Sequence, residues 1–447
     1  MPRDKLQNAN STRNRKYESG VRMRQRTLLL CLLLAGSIGS LLFSYRHATR
    51  WTPSFSITDK LRNASINAVF PLALNTSSTS SILLVSAYFP VSKSKHSLGE
   101  YRAWLASFLA QIESPIYFFT PPEYADIVRE ARPAHLPLML NTSFSTPWDI
   151  PPMHGLHEAY VDMYRRDREA FRHSPELYAI WNSKPYLLEE GLRNAVAVMA
   201  PSNSGTPPAF ENAFWVDAGS FRVEHRYAQW PSSARVREVF AEGSRISGTP
   251  VDDLIFFPVY RQPNNEWKGW TEDQGPIDID FSEGSFFGGS PRAVAWWKQE
   301  FYAQHDKYKA AGFFVGKDQT LINALMFLHP KRFITVWIDQ PKPTSGHSVP
   351  STRRHCGPEW YYYVYVLSTP QEQEAMRVLW EIAANSPWAW PSQWFRWLKA
   401  KWMWIDKRGP MSGHGDDYIC PVNDVLSVDR LLKTQFGSGW PVTHSRD

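Results

Sequence analysis

Cysteine is nearly absent: Cys31, Cys356 and Cys420 are the only three in 447 residues. So few thiols make no zinc site by themselves, and His347, His355, His414 and His444 show no diagnostic metal-ligand spacing. An excess of positive charge is missing from most of the chain as well. The net charge is +6, and the first 26 residues carry eight basic side chains against Asp4 and Glu18. The remainder is balanced, with 41 basic and 41 acidic side chains. A balanced body carries no electrostatic footprint for nucleic acid, which is set aside as a partner on that ground. No Gly-x-Gly-x-x-Gly follows the first apolar run, so a dinucleotide fingerprint is missing too.

What the N-terminus does have is an anchor pattern. The basic lead runs into Thr27 to Tyr45, a Leu-rich stretch of 19 uncharged residues. A helix needs about 20 such residues to cross a bilayer. Basic residues before the span place the lead in the cytosol. A cleaved signal peptide is the alternative. The long basic lead weighs against it, as does the lack of a small-x-small cleavage site before Arg46, His47 and Arg50. The expectation is a single-pass type II membrane protein of the Golgi or ER, with residues 1–26 cytosolic and the bulk luminal. Residues 46–80, rich in Ser, Thr and Asn without periodicity, read as a stem. Asn63, Asn75 and Asn141 head glycosylation sequons on the luminal side, whereas Asn10 lies on the cytosolic side. Cys356 and Cys420 form the only luminal cysteine pair and are expected to be bridged, with two separate buried thiols as the alternative.

From residue 81 the chain alternates. Ser81 to Pro90 is an apolar run of strand length, with Tyr88 near its end. Trp104, Leu105, Phe108, Leu109 and Ile112 share one face of a helix over Tyr101 to Ile112. Ile116 to Phe119 reads as a second strand and Pro122 to Ala131 as a second helix. Residues 135–160 are irregular and proline-rich, and a charged helix follows from Tyr160 to Phe171. This alternation predicts an α/β fold with a parallel sheet and helices on both faces. Further on, Ser183 is placed to cap a helix running to Met199, with Pro185 in its first turn. Lys184 then stands near the positive helix end, which asks for an anion such as phosphate; an ordinary solvated lysine is the alternative. After a polar loop, Ala213 to Val216 is a short strand that ends at Asp217-Ala218-Gly219. In open α/β sheets ligands bind beyond the carboxyl ends of strands. An aspartate there meets a ligand or metal, or else caps a turn.

The segment Trp181-Asn182-Ser183-Lys184-Pro185-Tyr186, a helix, a polar loop and Phe214-Trp215-Val216-Asp217-Ala218-Gly219-Ser220-Phe221-Arg222 resembles the HtrL/YibB family and, more broadly, the GT-A glycosyltransferases. Ser285 to Pro291, with Gly288 and Gly289, is similar to the GT-A segment that approaches donor and acceptor. Gly316 to Leu321 is similar to the acidic segment opening a late helix. The resemblance covers residues 82 to about 340. It implies a GT-A-like mixed, mostly parallel sheet flanked by helices. It also implies transfer of a sugar from a nucleotide-sugar donor to a glycan or glycoconjugate. GT-A enzymes usually hold Mn²⁺ or Mg²⁺ with Asp-x-Asp at a strand end, since carboxylate oxygens suit hard cations. The resemblance puts Asp217 at that place, but Gly219 stands where the second aspartate belongs. Lys184 would lie near phosphate and Tyr88 at the donor or acceptor. Gly288 and Gly289 would shape the site, and Gln319 would bind a sugar hydroxyl. Asp318 would act as base or hold the acceptor; capping its own helix is the alternative. A literal Asp278-Ile279-Asp280 reads as a surface turn. Asp252-Asp253 and Asp339 are further acidic rivals. The missing aspartate also motivates a second reading, a non-catalytic glycan-binding protein on a degenerate transferase fold. A glycoside hydrolase needs two carboxyls across a sugar ring, for which the sequence order offers no support.

Residues 341–447 depart from the resemblance and are expected to pack on the domain as an extension. Glu359 to Leu367 has strand propensity, and Gln371 to Ala384 reads as a helix. Trp388, Trp390, Trp394, Trp397, Trp402 and Trp404 then form a segment expected to be mostly buried, with sugar stacking or a membrane surface as the alternative.

Overall fold

The computed structural model describes residues 81–94, 96–199, 210–337, 362–385 and 425–440. The expected membrane span, the stem, Asn63, Asn75, Cys356, Cys420, Asp339 and the tryptophan-rich segment lie outside these residues. No helix among the described residues is long and apolar enough to cross a membrane.

Elements alternate from the start. Strand β1 is Ile82–Ala87, helix α1 Leu98–Gln111, β2 Ile116–Phe119, α2 Ala125–Ala131, β3 Leu138–Asn141, α3 His157–Tyr164 and α4 Pro175–Met199. Then follow β4 Asn212–Val216, α5 Ser233–Ser247, β5 Ile255–Phe256, β6 Phe286–Gly289, α6 Pro291–Ala310, α7 Asp318–Leu328 and β7 Phe333–Thr335. The described C-terminal part adds α8 Tyr363–Val366, α9 Pro370–Asn385, β8 Leu426–Ser427 and α10 Val428–Phe436. The strands form one sheet in the order β3-β2-β1-β4-β6-β5-β7-β8. It is parallel except at β6 and β8.

All six residues of β1 are buried, because both sheet faces are covered. Leu83 and Val85 point to one face, where Leu187 and Leu188 of α4 and Trp297 and Phe301 of α6 pack. Ile82 and Leu84 point to the other, against Leu105 and Phe108 of α1 and Val236 and Phe240 of α5. Each such side chain adds about 1.5–3 kcal/mol by burial. Capping follows sequence signals. Ser97 and Glu100 close a capping box on α1. Ser290 caps α6 ahead of Pro291, as its sequence predicts.

The charged helix expected over Tyr160 to Phe171 is the shorter α3, which stops at Tyr164 and gives way to turns where Asp167 accepts from Glu169 N–H and from the Tyr178 hydroxyl. Two further expectations need correction. Ser183 caps nothing: α4 begins eight residues earlier, at Pro175, where Ser174 Oγ accepts from Leu177 N–H. A serine shortly ahead of a proline occurs twice in this stretch, as Ser174-Pro175 and as Ser183-Lys184-Pro185, and the second lies inside the helix. There Ser183 Oγ donates to the Ala179 carbonyl at 2.6 Å, and Pro185 is accommodated as an interior proline. The second correction concerns Tyr363–Val366, which is a helical turn rather than a strand. Long-range contacts override its propensity. The Tyr362 hydroxyl donates to the carbonyls of Val259 and Val336, and the Tyr363 ring stacks on Phe286 at 4.6 Å.

Candidate active site

Strands β1, β2 and β3 step outward in one direction, while β4 lies on the opposite side of β1. The carboxyl ends of β1 and β4 therefore flank the point where strand order reverses, the place where open α/β sheets present a ligand crevice. Tyr88 follows β1 and Asp217 follows β4. The Asp217 N–H donates to the Ser285 carbonyl at 2.9 Å, which extends the β4–β6 pairing by one residue. The buried Trp215 sends its indole N–H to Asp217 Oδ1 at 2.6 Å. Asp217 keeps 34% of its side chain exposed.

Lys184 stands inside α4 rather than near its positive end, because the helix already starts at Pro175, and it is only 4% exposed. Its Nζ lies 3.2 Å from Asp217 Oδ1 and 3.2 Å from Asp318 Oδ2, and it donates to the Gly284 carbonyl at 3.0 Å. The anion this lysine requires is thus a pair of carboxylates within the protein. Burial works against the ammonium, but Asp217 and Asp318 outweigh it and hold its pKa above the usual lysine range. Asp318 opens α7 and is 7% exposed. Burial raises its pKa, with Lys184 opposing. Its Oδ1 accepts from Gln319 N–H, while Oδ2 faces Lys184 without a well-aligned hydrogen bond. Gly284 makes this packing feasible: a Cβ there would stand 3.2 Å from Asp318 Oδ2.

Glu283, just before Gly284, completes the cluster. Burial pushes its carboxyl up to about 7; the neighbouring Asp217 charge adds to this, and the Ser285 hydrogen bonds and Lys184 oppose it. Its Oε1 accepts from Ser285 N–H at 3.0 Å. A carboxyl titrating near neutrality at a strand end is suited to taking a proton from a hydroxyl.

One wall beside Asp217 is aromatic and cationic. The Arg222 guanidinium lies 4.4 Å from the Trp104 ring centroid and donates from Nε to the Gly219 carbonyl. Tyr101, whose pKa is raised by burial, is acted on by the charges of both Arg222 and Asp217. Tyr88 packs on Tyr101 and Tyr124, at 5.1 and 5.5 Å between centroids, and burial pushes its phenol up to about 12.

No family model matches the chain, and no curated protein matches it. Among solved structures the chain is similar to core-mannan synthase A from Aspergillus fumigatus in its Mn/GDP form. The two are 11% identical, the match covers 58% of this chain and 73% of that one, and the TM-score is 0.33.

Other sequence candidates have different surroundings from those expected. Gly288 and Gly289 sit inside β6, paired with Phe214 and Ala213 toward the start of β4, away from the Asp217 end. Gln319 donates its amide to the Ser282 carbonyl. Asp278 meets Arg168 and lies 3.5 Å from Lys317. Asp253 pairs with Arg292 at 2.8 Å. Asn141 lies on edge strand β3 and donates Nδ2 to the Tyr117 hydroxyl at 3.0 Å. Among the described residues, no group of three or more His, Cys, Asp and Glu side chains is arranged to hold a metal ion. Sequence reasoning missed Glu283, Tyr101, Trp104 and Arg222 as site residues. Glu283 had one visible signal, an acid directly ahead of the Ser285–Pro291 stretch. The others reach the site only because α1 and the turn after Asp217 fold against each other.

Proposed function

We propose that this chain is a glycosyltransferase moving a sugar from a nucleotide-sugar donor to a glycan or glycoconjugate in the lumen of the Golgi or ER. The observation that carries the reading is the convergence of Lys184, Asp217 and Asp318 at the switch point of the sheet. The reaction breaks the bond from the anomeric carbon to the diphosphate oxygen and forms one to the acceptor oxygen. The acceptor's proton goes to a carboxylate, and Glu283 suits that role at neutral pH. Arg222, in the turn that follows Asp217, supplies positive charge for the departing diphosphate. Trp104, Tyr101 and Tyr88 offer apolar ring surface for a base or sugar. The resemblance implies Mn²⁺ or Mg²⁺ at Asp217, but an ion does not fit between Asp217 and Asp318, because the Lys184 ammonium is 3.2 Å from both. No step is routed through a metal. The type II membrane placement and the HtrL/YibB kinship belong to the same proposal.

One observation favours the glycan-binding reading. Lys184 is buried and turned to three acceptors within the protein, so it does not present its charge to a donor phosphate. The thermal stability of the full-length protein against nucleoside diphosphates, nucleotide sugars and glycans separates the two. A ligand at 100 times its Kd adds about 2.7 kcal/mol to the folded state. We expect one nucleotide class to raise Tm by several degrees, and Asp217→Asn to cut sugar transfer by about 100-fold or more while the protein stays folded. A Tm rise with glycans and with no nucleotide would replace the transferase reading by the binding one.

A further inference from the structure

We infer that the Lys184 ammonium is the resident cation of this carboxylate site, standing where a divalent ion would otherwise bind, so that the site takes up neither Mn²⁺ nor Mg²⁺. The inference deepens the transferase reading and rests on it for its catalytic meaning: donor binding and transfer proceed without metal.

A hard divalent ion needs several oxygen ligands at about 2.0–2.2 Å in near-octahedral array. Asp217 Oδ1 is already engaged by the Trp215 indole at 2.6 Å and by Lys184 at 3.2 Å. Asp318 Oδ1 accepts from Gln319 N–H at 2.8 Å. Asp318 Oδ2 is buried and faces Lys184 at 3.2 Å. An ion shared by the two aspartates would press against the ammonium, and like charges at that distance repel strongly away from water.

The ammonium is also held so that it cannot swing out. Lys184 is 4% exposed on a buried face of α4, and Nζ is fixed at the Gly284 carbonyl. Two residues earlier on the same helix, Asn182 donates to the carbonyls of Val315 and Gly316, at 2.9 and 3.3 Å, which positions the segment that leads into Asp318. Its own carbonyl accepts from the Tyr302 hydroxyl at 2.8 Å. One helix therefore carries the cation and clamps the loop of one of its two carboxylates.

Mn²⁺ titration of the full-length protein, followed by the electron paramagnetic resonance of the free ion, tests this directly. It is run with the protein alone and then with UDP or GDP added. We expect no saturable Mn²⁺ site dependent on Asp217 in the wild type under any of these conditions. Lys184→Ala removes the resident cation, and we expect it to bind one Mn²⁺ at least tenfold more tightly than the wild type, with the gain lost in Lys184→Ala/Asp217→Asn. A wild-type Mn²⁺ site that Asp217→Asn abolishes would overturn the inference. So would a folded Lys184→Ala protein that gains no Mn²⁺ binding. If Lys184→Ala does not fold, the wild-type and Asp217→Asn titrations still decide. The metal series is read separately from the nucleotide series, so failure of the transferase reading appears in the Tm shifts and failure of this one in the Mn²⁺ signal.

Discussion

Glu283 shows how much one side chain's surroundings decide. In the sequence it is one acid among 43 aspartates and glutamates. In the fold it is half-buried beside Asp217, and desolvation moves its pKa from the usual 4.5 to about 7. A raised carboxyl pKa means the folded state holds the proton more tightly than the unfolded one. Stability from this group therefore falls as pH climbs from about 4.5 to about 7, by roughly 3 kcal/mol at most. Glu283→Gln removes the titration. We expect the variant to melt higher than the wild type above pH 8 and level with it below pH 4.5. Melting curves taken across that range are the check, and parallel curves would show that Glu283 does not titrate as described. The residue was legible as an acid near a strand, but its proton affinity was not, since burial comes from distant elements.

At the scale of elements, β6 shows why two glycines belong in a strand. A Cβ on Gly288 would lie 2.1 Å from the Ala213 carbonyl oxygen and 2.7 Å from the Phe214 Cα, and one on Gly289 would lie 2.5 Å from the Leu254 carbonyl oxygen. These neighbours are backbone atoms and cannot turn aside. We expect Gly288→Ala to destabilise the protein by about 3 kcal/mol or more. Gly439→Ala, which meets nothing within 4 Å, should stay within about 0.5 kcal/mol. Chemical denaturation of the two variants measures the difference. The pair was visible in the sequence as a place where something approaches closely. Only the pairing of β6 with β4 and β5 shows that the approaching atoms are the neighbouring strands.

At the scale of the whole molecule, the C-terminal part is built into the sheet rather than added beside it. Strand β8 pairs antiparallel with β7, and α10 buries Leu431, Leu432 and Phe436. Phe436 and Trp440 pack on Phe327 of α7, at 5.9 and 5.6 Å between ring centroids. With about 1.5–3 kcal/mol for each fully buried apolar side chain, this packing is comparable to the entire 5–15 kcal/mol stability of an ordinary domain. A chain ending at residue 424 should therefore be recovered as aggregate on size-exclusion chromatography. A monomer that melts cooperatively would show that the core closes without β8 and α10.

Local signals in the chain account for the α/β alternation, the β1, β2 and β4 runs, the Ser290-Pro291 helix start, and the positions of Asp217 at a strand end and Asp318 at a helix start. Each rests on a local cause: apolar runs, a cap, or a proline with a missing donor. Which charges meet depends on how distant elements pack. Lys184, Asp217, Glu283 and Asp318 come from four separate stretches, and nothing local to Lys184 names its anion. The same holds for the turn at Tyr363, where contacts from Phe286, Val259 and Val336 outweigh a local preference for strand. Propensity acts over a few neighbouring residues, whereas burial and ion pairing act across the sheet, and the candidate site is made of the latter.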